Sequence, residues 1–175
     1  TQKYQSEGGP GLAQVLGPFA GSDEPLADQA TILKAQLLFW LIGATDGHAK
    51  NFSLFLGPGG TYRLTPLYDI LSTQPSLDAG QIKRKQLKLA MSVGRNRHYK
   101  LDEILPRHFF QTGQEAGLSK EVVYEAVADM AASANHAIDR MDDHLQADFP
   151  EAIHEAIRKG LLPRLNHLSE AVGAR

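Results

Sequence analysis

The segment 27–43, ADQATILKAQLLFWLIG, places the strongest constraint on what this chain can fold into. From Ile32 onward it is apolar around almost its whole circumference, and a helix without a polar face has to be buried in the centre of a domain. Asp28 supplies an acid near the start of this helix, and Gly43 is a typical helix stop. The other elements must therefore pack around this one helix.

The rest of the pattern predicts a mostly α fold with a small antiparallel β-hairpin region. Apolar and polar residues alternate at 51–57 and 61–66, and the intervening turn, Pro-Gly-Gly, predicts a hairpin. A third strand is predicted at 85–93. Helices are predicted at 101–106, 106–117, 119–146, 150–159 and 160–172, with a short one within 1–27. We found no linker, so residues 1–175 are interpreted as one domain.

Composition excludes several classes of function. The 175 residues are long enough to bury a core, and 42% of them are hydrophobic, as in ordinary globular domains. The longest apolar stretch, 37–42, is too short to cross a membrane. The chain has no cysteine, which rules out disulfides and thiolate metal ligands and favours a cytoplasmic location.

A polar loop directly follows the apolar helix. Asp46 and Asn51 stand five positions apart in it, and Asp69 lies beyond the hairpin between the apolar pairs Leu67-Tyr68 and Ile70-Leu71. In an antiparallel hairpin the start of one strand lies beside the end of the other, so Asn51 and Asp69 should be close together. The flanking residues predict a buried Asp69, and a buried carboxylate needs a partner such as a metal ion.

This set of residue types suits phosphoryl transfer. One carboxylate can orient the attacking hydroxyl, while an amide oxygen and a second carboxylate hold Mg²⁺. Structural alternatives stay open at this point. Asp46 and Asn51 could satisfy backbone groups in a turn, and Asp69 could pair with Arg63 or Lys50.

Four stretches resemble one known family. KYQSEGGPG, KAQLLFWLIGATDGHAKNFSLF, YRLTPLYDILS and LKLAMSVG are similar to the C-terminal lobe of HipA-type toxin kinases, most specifically ATDGHAKNFS followed by RLTPLYD. The resemblance covers essentially the whole chain and is densest over 32–100. It implies a serine/threonine protein kinase of a bacterial toxin–antitoxin system that uses ATP and Mg²⁺.

The resemblance also implies roles for individual residues. The family's catalytic base matches Asp46, and its magnesium ligands match Asn51 and Asp69. His48 and Lys50 lie in the same loop and are given a supporting role in binding the nucleotide. The family's partners are a HipB-type antitoxin with its operator DNA, and its known protein substrates include aminoacyl-tRNA synthetases.

Two departures accompany the resemblance. Ile70-Leu71 stands where many kinases have Phe-Gly after the metal-binding Asp, although this is usual for the family. The parts of an N-terminal lobe are not found, since there is no glycine-rich loop and Lys3 and Lys34 lack the surroundings of a strand lysine. We therefore expect the chain to be a C-terminal lobe that is inactive on its own.

A second hypothesis assigns no chemistry to the chain. Seven basic residues and no acid lie between Gln81 and Lys100, although the whole chain carries a net charge of −2. Such a segment could dock an antitoxin or DNA as a non-catalytic binding module. An ordinary solvated loop is the simpler interpretation of the same residues.

Overall fold

A computed structural model describes residues 2–146 and 148–174, which form six α-helices, four short strands and several 3₁₀ turns. The helices are α1 (Leu12–Leu16), α2 (Pro25–Ile42), α3 (Gln74–Asp78), α4 (Pro106–Glu115), α5 (Lys120–His144) and α6 (Glu151–Gly173). The strands are β1 (Leu54–Leu56), β2 (Tyr62–Leu64), β3 (Lys88–Val93) and β4 (His98–Lys100). The predicted mostly α fold with a small antiparallel region is confirmed.

Helix α2 is the buried centre, as its sequence predicts. It packs against α4, α5 and α6. Trp40 is fully buried, and its Nε1–H donates to the Leu101 carbonyl at 3.1 Å. The buried Gln36 donates its Nε2–H to the Met91 carbonyl at 2.9 Å, which fixes β3 against the helix. Because this helix meets so many elements, its C-terminal end is a rigid point from which the polar loop leaves.

The β region consists of two separate antiparallel hairpins, β1–β2 and β3–β4. The first has the register Leu54↔Leu64, Phe55↔Arg63 and Leu56↔Tyr62. Its first strand is shorter than the predicted 51–57, because residues 49–51 form a 3₁₀ turn in which the Asn51 side chain accepts the His48 backbone N–H. Strand β4 was not predicted, since its three residues carry no period long enough to detect.

The helices of the C-terminal half are largely confirmed. Helices α4 and α5 match the predicted 106–117 and 119–146, and Ser119 caps α5 by accepting the Val122 N–H at 3.2 Å. The predicted helix at 101–106 is only a 3₁₀ turn, Leu101–Glu103.

The prediction of two helices at 150–159 and 160–172 was wrong, because α6 is one helix that continues through Gly160 and Pro163. Packing explains the continuity. A Cβ at Gly160 would lie 2.4 Å from the Gln74 side chain, so the glycine is needed for close contact with α3. Tertiary contacts therefore outweigh the breaking tendency of these residues.

Helix α6 also holds the end of α2. Arg164 donates its Nε–H to the Leu41 carbonyl at 3.0 Å. Burial lowers the pKa of this guanidinium to about 10, so it stays charged at neutral pH. A positive charge at a helix C-terminus is favourable, and here it steadies the point where the polar loop begins.

In the part of the chain that the structure describes, no helix combines the length and the apolar character needed to cross a membrane.

Candidate active site

The polar loop leaves α2 through a defined helix end. Gly43 has φ 70° and ψ 40°, the left-handed conformation that glycine adopts without steric cost. Gly47, four residues on, lies so near the helix that a Cβ would be 2.3 Å from the Phe39 ring. The loop backbone is thus packed directly on α2, and only glycine fits at that position.

The segment after Asp69 is tied to the same helix end. Ser72 donates its hydroxyl to the Ile42 carbonyl, and Thr73 donates both its backbone N–H and its hydroxyl to the Gly43 carbonyl, at 3.0 and 2.6 Å. These hydroxyls occupy helix carbonyls that would otherwise lack partners. Both halves of the candidate site therefore depend on the C-terminus of α2.

Asp46 accepts hydrogen bonds from two residues of the N-terminal segment. Lys3 donates its Nζ–H groups to the two carboxylate oxygens at 2.9 and 3.2 Å, and the Tyr4 hydroxyl donates to Oδ1 at 2.7 Å. The Asp46 side chain is still 55% exposed, so the carboxylate remains open to a ligand. The sequence analysis missed this arrangement, because the contacts join residues more than forty positions apart.

These contacts also shift the pKa of Asp46. Partial burial raises the pKa of the carboxyl, but the hydrogen bonds from Tyr4 and Lys3 and the lysine charge together hold that pKa below its usual range. The pKa of Lys3 is raised, mainly by its hydrogen bond to Asp46. At neutral pH the pair is therefore a carboxylate beside an ammonium ion.

His48 lies behind Asp46. Its side chain is buried, its Nε2 is 3.8 Å from Asp46 Oδ1, and its ring meets the Tyr4 ring edge-on at 6.1 Å between centroids. Its buried Nδ1 has no hydrogen-bond partner among the described residues. The ring therefore lies against the carboxylate on its protein side and is not exposed to solvent.

The predicted closeness of Asn51 and Asp69 is confirmed. Asn51 is buried, and its Nδ2–H donates to Asp69 Oδ2 at 3.0 Å. Its Oδ1 accepts the His48 backbone N–H at 2.9 Å, which keeps one lone pair of that oxygen for another ligand. The two hydrogen bonds fix both ends of the amide.

Asp69 is exposed, so the prediction of a buried carboxylate was wrong. Its neighbours Leu67 and Ile70 pack on the core while the chain turns sharply at Asp69, where φ is 56°. The carboxylate is therefore exposed, while its Oδ2 still accepts the hydrogen bond from the buried Asn51 amide. A non-glycine residue in the left-handed region is uncommon, and such residues concentrate at functional sites.

Lys50 is exposed and contributes to the site through its backbone. Its carbonyl accepts the Tyr68 hydroxyl at 2.9 Å, and that hydroxyl also lies 2.7 Å from Ser53 Oγ. Tyr68 thereby ties the segment that holds Asp69 to the polar loop. Tyr68 stands next to Asp69 in the sequence, but that position alone does not indicate that its hydroxyl binds the polar loop.

The donor set suits a hard cation. Asp46 and Asp69 present exposed carboxylates, and Asn51 presents an amide oxygen held in place by hydrogen bonds. Mg²⁺ prefers oxygen ligands and takes only one or two from the protein when nucleotide phosphates supply others. The residues present therefore fit a magnesium–nucleotide complex.

Comparison with known proteins gives a consistent result. The model of the HipA-like C-terminal domain matches residues 1–138. The chain is 26% identical over 174 residues to "Putative kinase Y4mE" of Sinorhizobium fredii, covering 99% of this chain and 37% of that protein. A "Putative kinase" of Haemophilus influenzae is 26% identical over 112 residues, covering 59% of this chain and 32% of that protein.

A solved structure shows the same fold. The chain is similar to one from the complex of Shewanella oneidensis HipA, HipB and operator DNA, with a TM-score of 0.73 and 21% identity. The match covers 94% of this chain and 38% of the other. The chain thus spans about a third of the length of the curated relatives it matches.

Proposed function

This chain belongs to the HipA-like C-terminal domain family, and from that premise we propose that it is the C-terminal catalytic lobe of an ATP- and Mg²⁺-dependent serine/threonine protein kinase. The observation that carries the proposal is the convergence of three oxygen-bearing side chains at one helix end. Asn51 hydrogen-bonds Asp69, and Asp46 stands exposed at the other side of the same short loop. The relatives named as kinases support the same class of reaction.

Each residue has a definite task in this proposal. Asn51 Oδ1 and the Asp69 carboxylate would hold Mg²⁺, which when bound neutralises charge on the phosphates of ATP. Asp46 accepts a hydrogen bond from the acceptor serine or threonine hydroxyl and aims its oxygen at the γ-phosphorus. As the new P–O bond forms and the bond to ADP breaks, the hydroxyl proton passes to Asp46.

Lys3 and Tyr4 act on Asp46 as positioning residues. Their hydrogen bonds hold the carboxylate in one orientation and keep it ionised at neutral pH. Orientation matters more than basicity here, because phosphoryl transfer proceeds through a loose transition state that places little demand on a strong base. The buried His48 side chain packs beside the carboxylate, with its Nε2 3.8 Å from Asp46 Oδ1.

The complete activity is proposed for the longer protein. The family likeness suggests its partners, which are an antitoxin of the HipB type and operator DNA bound through it, and a protein substrate such as an aminoacyl-tRNA synthetase. The cytoplasmic location rests on the absence of cysteine. All of these remain proposals. The alternative of a binding module without chemistry is weakened by ion pairs within the basic segment. Arg84 pairs with Asp102, Arg95 with Glu115 and Lys100 with Glu103, so three of its seven cations are already neutralised.

The test is calorimetric titration of the full-length protein with ATP, with and without Mg²⁺. We expect binding that requires the metal and that is lost in Asp69→Asn and Asn51→Ala. Asp23→Asn, the same change at an exposed aspartate before α2, is the matched control and should bind like the wild type. Metal-dependent binding that Asp69→Asn leaves unchanged would overturn the assignment of the metal ligands.

A further inference from the structure

A cavity of about 370 Å³ opens beside Asp46 and has no role in the proposed chemistry so far. Its wall on one side contains Tyr4, whose hydroxyl bonds the Asp46 carboxylate, and Thr45, the preceding residue. Its other side is the β3–β4 hairpin, with Leu89 and Ala90 among the lining residues. A ligand in this cavity therefore contacts Tyr4 and Thr45, which respectively hydrogen-bonds and precedes the proposed base.

The charges around the cavity are mostly positive. Lys88, Arg97 and Lys100 line it, and Glu103 is the one acid among its lining residues. Glu103 lies 2.6 Å from Lys100 and neutralises that lysine. Among the side chains that the structure describes, no carboxylate forms an ion pair with Lys88 or Arg97, so these two positive charges face the space without a described counter-ion.

The hairpin β3–β4 brings the cavity's cations close together. Lys88 and Lys100 are direct cross-strand partners, where like charges repel each other, and Glu103 offsets only the charge of Lys100. The register is irregular between Lys88 and Val93, and irregularities of this kind re-aim side chains beside functional sites. Arg97 has φ 53° at the turn of the same hairpin. An anionic ligand would supply the counter-ion that Lys88 and Arg97 lack.

We propose that this cavity, which we name the acceptor cavity, binds the segment of the protein substrate around its phosphorylated hydroxyl and selects acidic side chains flanking that hydroxyl. The proposal rests on the proposed function and adds the substrate class to it. The acceptor hydroxyl reaches Asp46 past Tyr4, while carboxylates of the same segment pair with Lys88 and Arg97. Leu89 and Ala90 lie almost fully buried at the base of the cavity wall, so the peptide would contact mainly its polar and charged lining residues.

The segment 83–100 therefore gains a role different from DNA docking. Its cations divide into three that pair with acids of the chain, two that face the cavity, and Lys83 and Lys85, which are exposed and do not line it. A surface for a nucleic-acid backbone would use all the free cations alike. The acceptor cavity uses only the pair that faces it.

The test is fluorescence anisotropy with the full-length protein and three labelled probes. The first is an eleven-residue peptide with one serine flanked by glutamates, the second replaces every glutamate with glutamine, and the third is a single-stranded oligonucleotide. We expect the acidic peptide to bind about tenfold more tightly than the glutamine peptide. The double variant Lys88→Ala/Arg97→Ala should reduce its affinity to that of the glutamine peptide.

The matched control is Lys83→Ala/Lys85→Ala, which removes the same charge from the same segment and should bind the acidic peptide like the wild type. Equal losses in both double variants would overturn the proposal in favour of general electrostatic attraction. Equal affinity for the two peptides would overturn it as well, and so would binding of the oligonucleotide alone. Metal-dependent ATP binding measured on the same samples separates these outcomes from a failure of the proposed kinase function.

Discussion

The centre of α2 and the hairpin β1–β2 differ sharply in how they are held. Leu33, Leu37 and Trp40 on the helix are fully buried, whereas Leu54, Phe55 and Leu56 on β1 are 43%, 48% and 81% exposed. Buried apolar surface is the main source of folding free energy, so stability resides in the helices. The hairpin instead serves to bring Asn51 and Asp69 together, and its residues are free to serve the site.

Hydrogen bonds connect α2 to the hairpin and to the segment that follows it. Asp28 accepts the Leu64 backbone N–H at 3.2 Å, and beyond the hairpin the hydroxyls of Ser72 and Thr73 donate to the Ile42 and Gly43 carbonyls at the end of the helix. Substitutions in the helix should therefore remove both fold and activity, whereas substitutions at the site should remove activity and leave the fold.

The largest effect on stability is expected at Trp40. Trp40→Ala removes a fully buried ring that packs on Phe109 at 5.4 Å between centroids and donates to the Leu101 carbonyl. We expect a loss of about 3–5 kcal/mol in the free energy of unfolding, measured by urea denaturation. Trp40→Phe keeps an aromatic ring, so its free energy of unfolding should fall by less than that of Trp40→Ala. A loss below about 1 kcal/mol in the alanine variant would contradict a core centred on α2.

The next effect is a pH dependence that originates in the core. Burial lowers the pKa of His108 to about 4, and the charges of His98 and Arg107 lower it further within that value. The His108 Nδ1 accepts the Leu105 N–H. The unfolded histidine titrates near pH 6.5. Between these values the unfolded chain binds a proton that the folded chain does not, so this stability is present above pH 6.5 and lost as the pH falls toward 4.

Protonation of His108 can lower the free energy of unfolding by about 3 kcal/mol at most. His108→Gln removes the titrating group, so the difference in unfolding free energy between the wild type and this variant should shrink as the pH is lowered from 7 to 4.5. Urea denaturation at several pH values measures it. A constant difference across that range would show that His108 is not held neutral by the fold.

A smaller effect, confined to activity, is expected at Lys3. Lys3→Met removes two hydrogen bonds to Asp46, so the pKa of that carboxyl should rise and the acid limb of the pH–rate profile should move to higher pH. We expect kcat to fall by about tenfold, less than the loss of a general base itself. Lys34→Met is the control, since that lysine pairs with Asp129 instead. An acid limb that does not shift in Lys3→Met would contradict the role of Lys3 in positioning Asp46 and lowering its pKa.

The smallest effect is expected on the hairpin surface. Leu56→Ser replaces the most exposed large apolar side chain, and surface substitutions usually change stability by less than about 0.5 kcal/mol. Thermal unfolding of this variant should match the wild type. A clear destabilisation would mean that the hairpin carries part of the folding free energy, and the contrast with α2 would weaken.

The sequence predicted the parts of this molecule that depend on local pattern. The apolar circumference of 32–42 predicted the buried helix, and the Pro-Gly-Gly turn with strand geometry predicted that Asn51 and Asp69 would meet. Both inferences use periodicity and chain direction alone. They held because no distant contact competes with them.

Features set by distant contacts were missed. Apolar neighbours suggested a buried Asp69, but the positive φ at that residue turns its carboxylate outward, and flanking residues carry no information about such a turn. The hydrogen bond from Lys3 to Asp46 joins residues 43 positions apart, so the sequence contains no periodic pattern that would indicate it. The continuity of α6 depends on packing between Gly160 and Gln74, which the sequence of the helix alone does not contain.

The most direct test of the central claim is phosphoryl transfer by the full-length protein and its Asp46→Asn variant, measured with γ-labelled ATP beside thermal unfolding. Asp46→Asn keeps the size of the side chain and removes its charge. We expect kcat to fall by about 10²–10⁴-fold, with an unfolding midpoint close to that of the wild type. Wild-type turnover by Asp46→Asn would contradict the assignment of the base, and unfolding of the variant would contradict the separation of site from core.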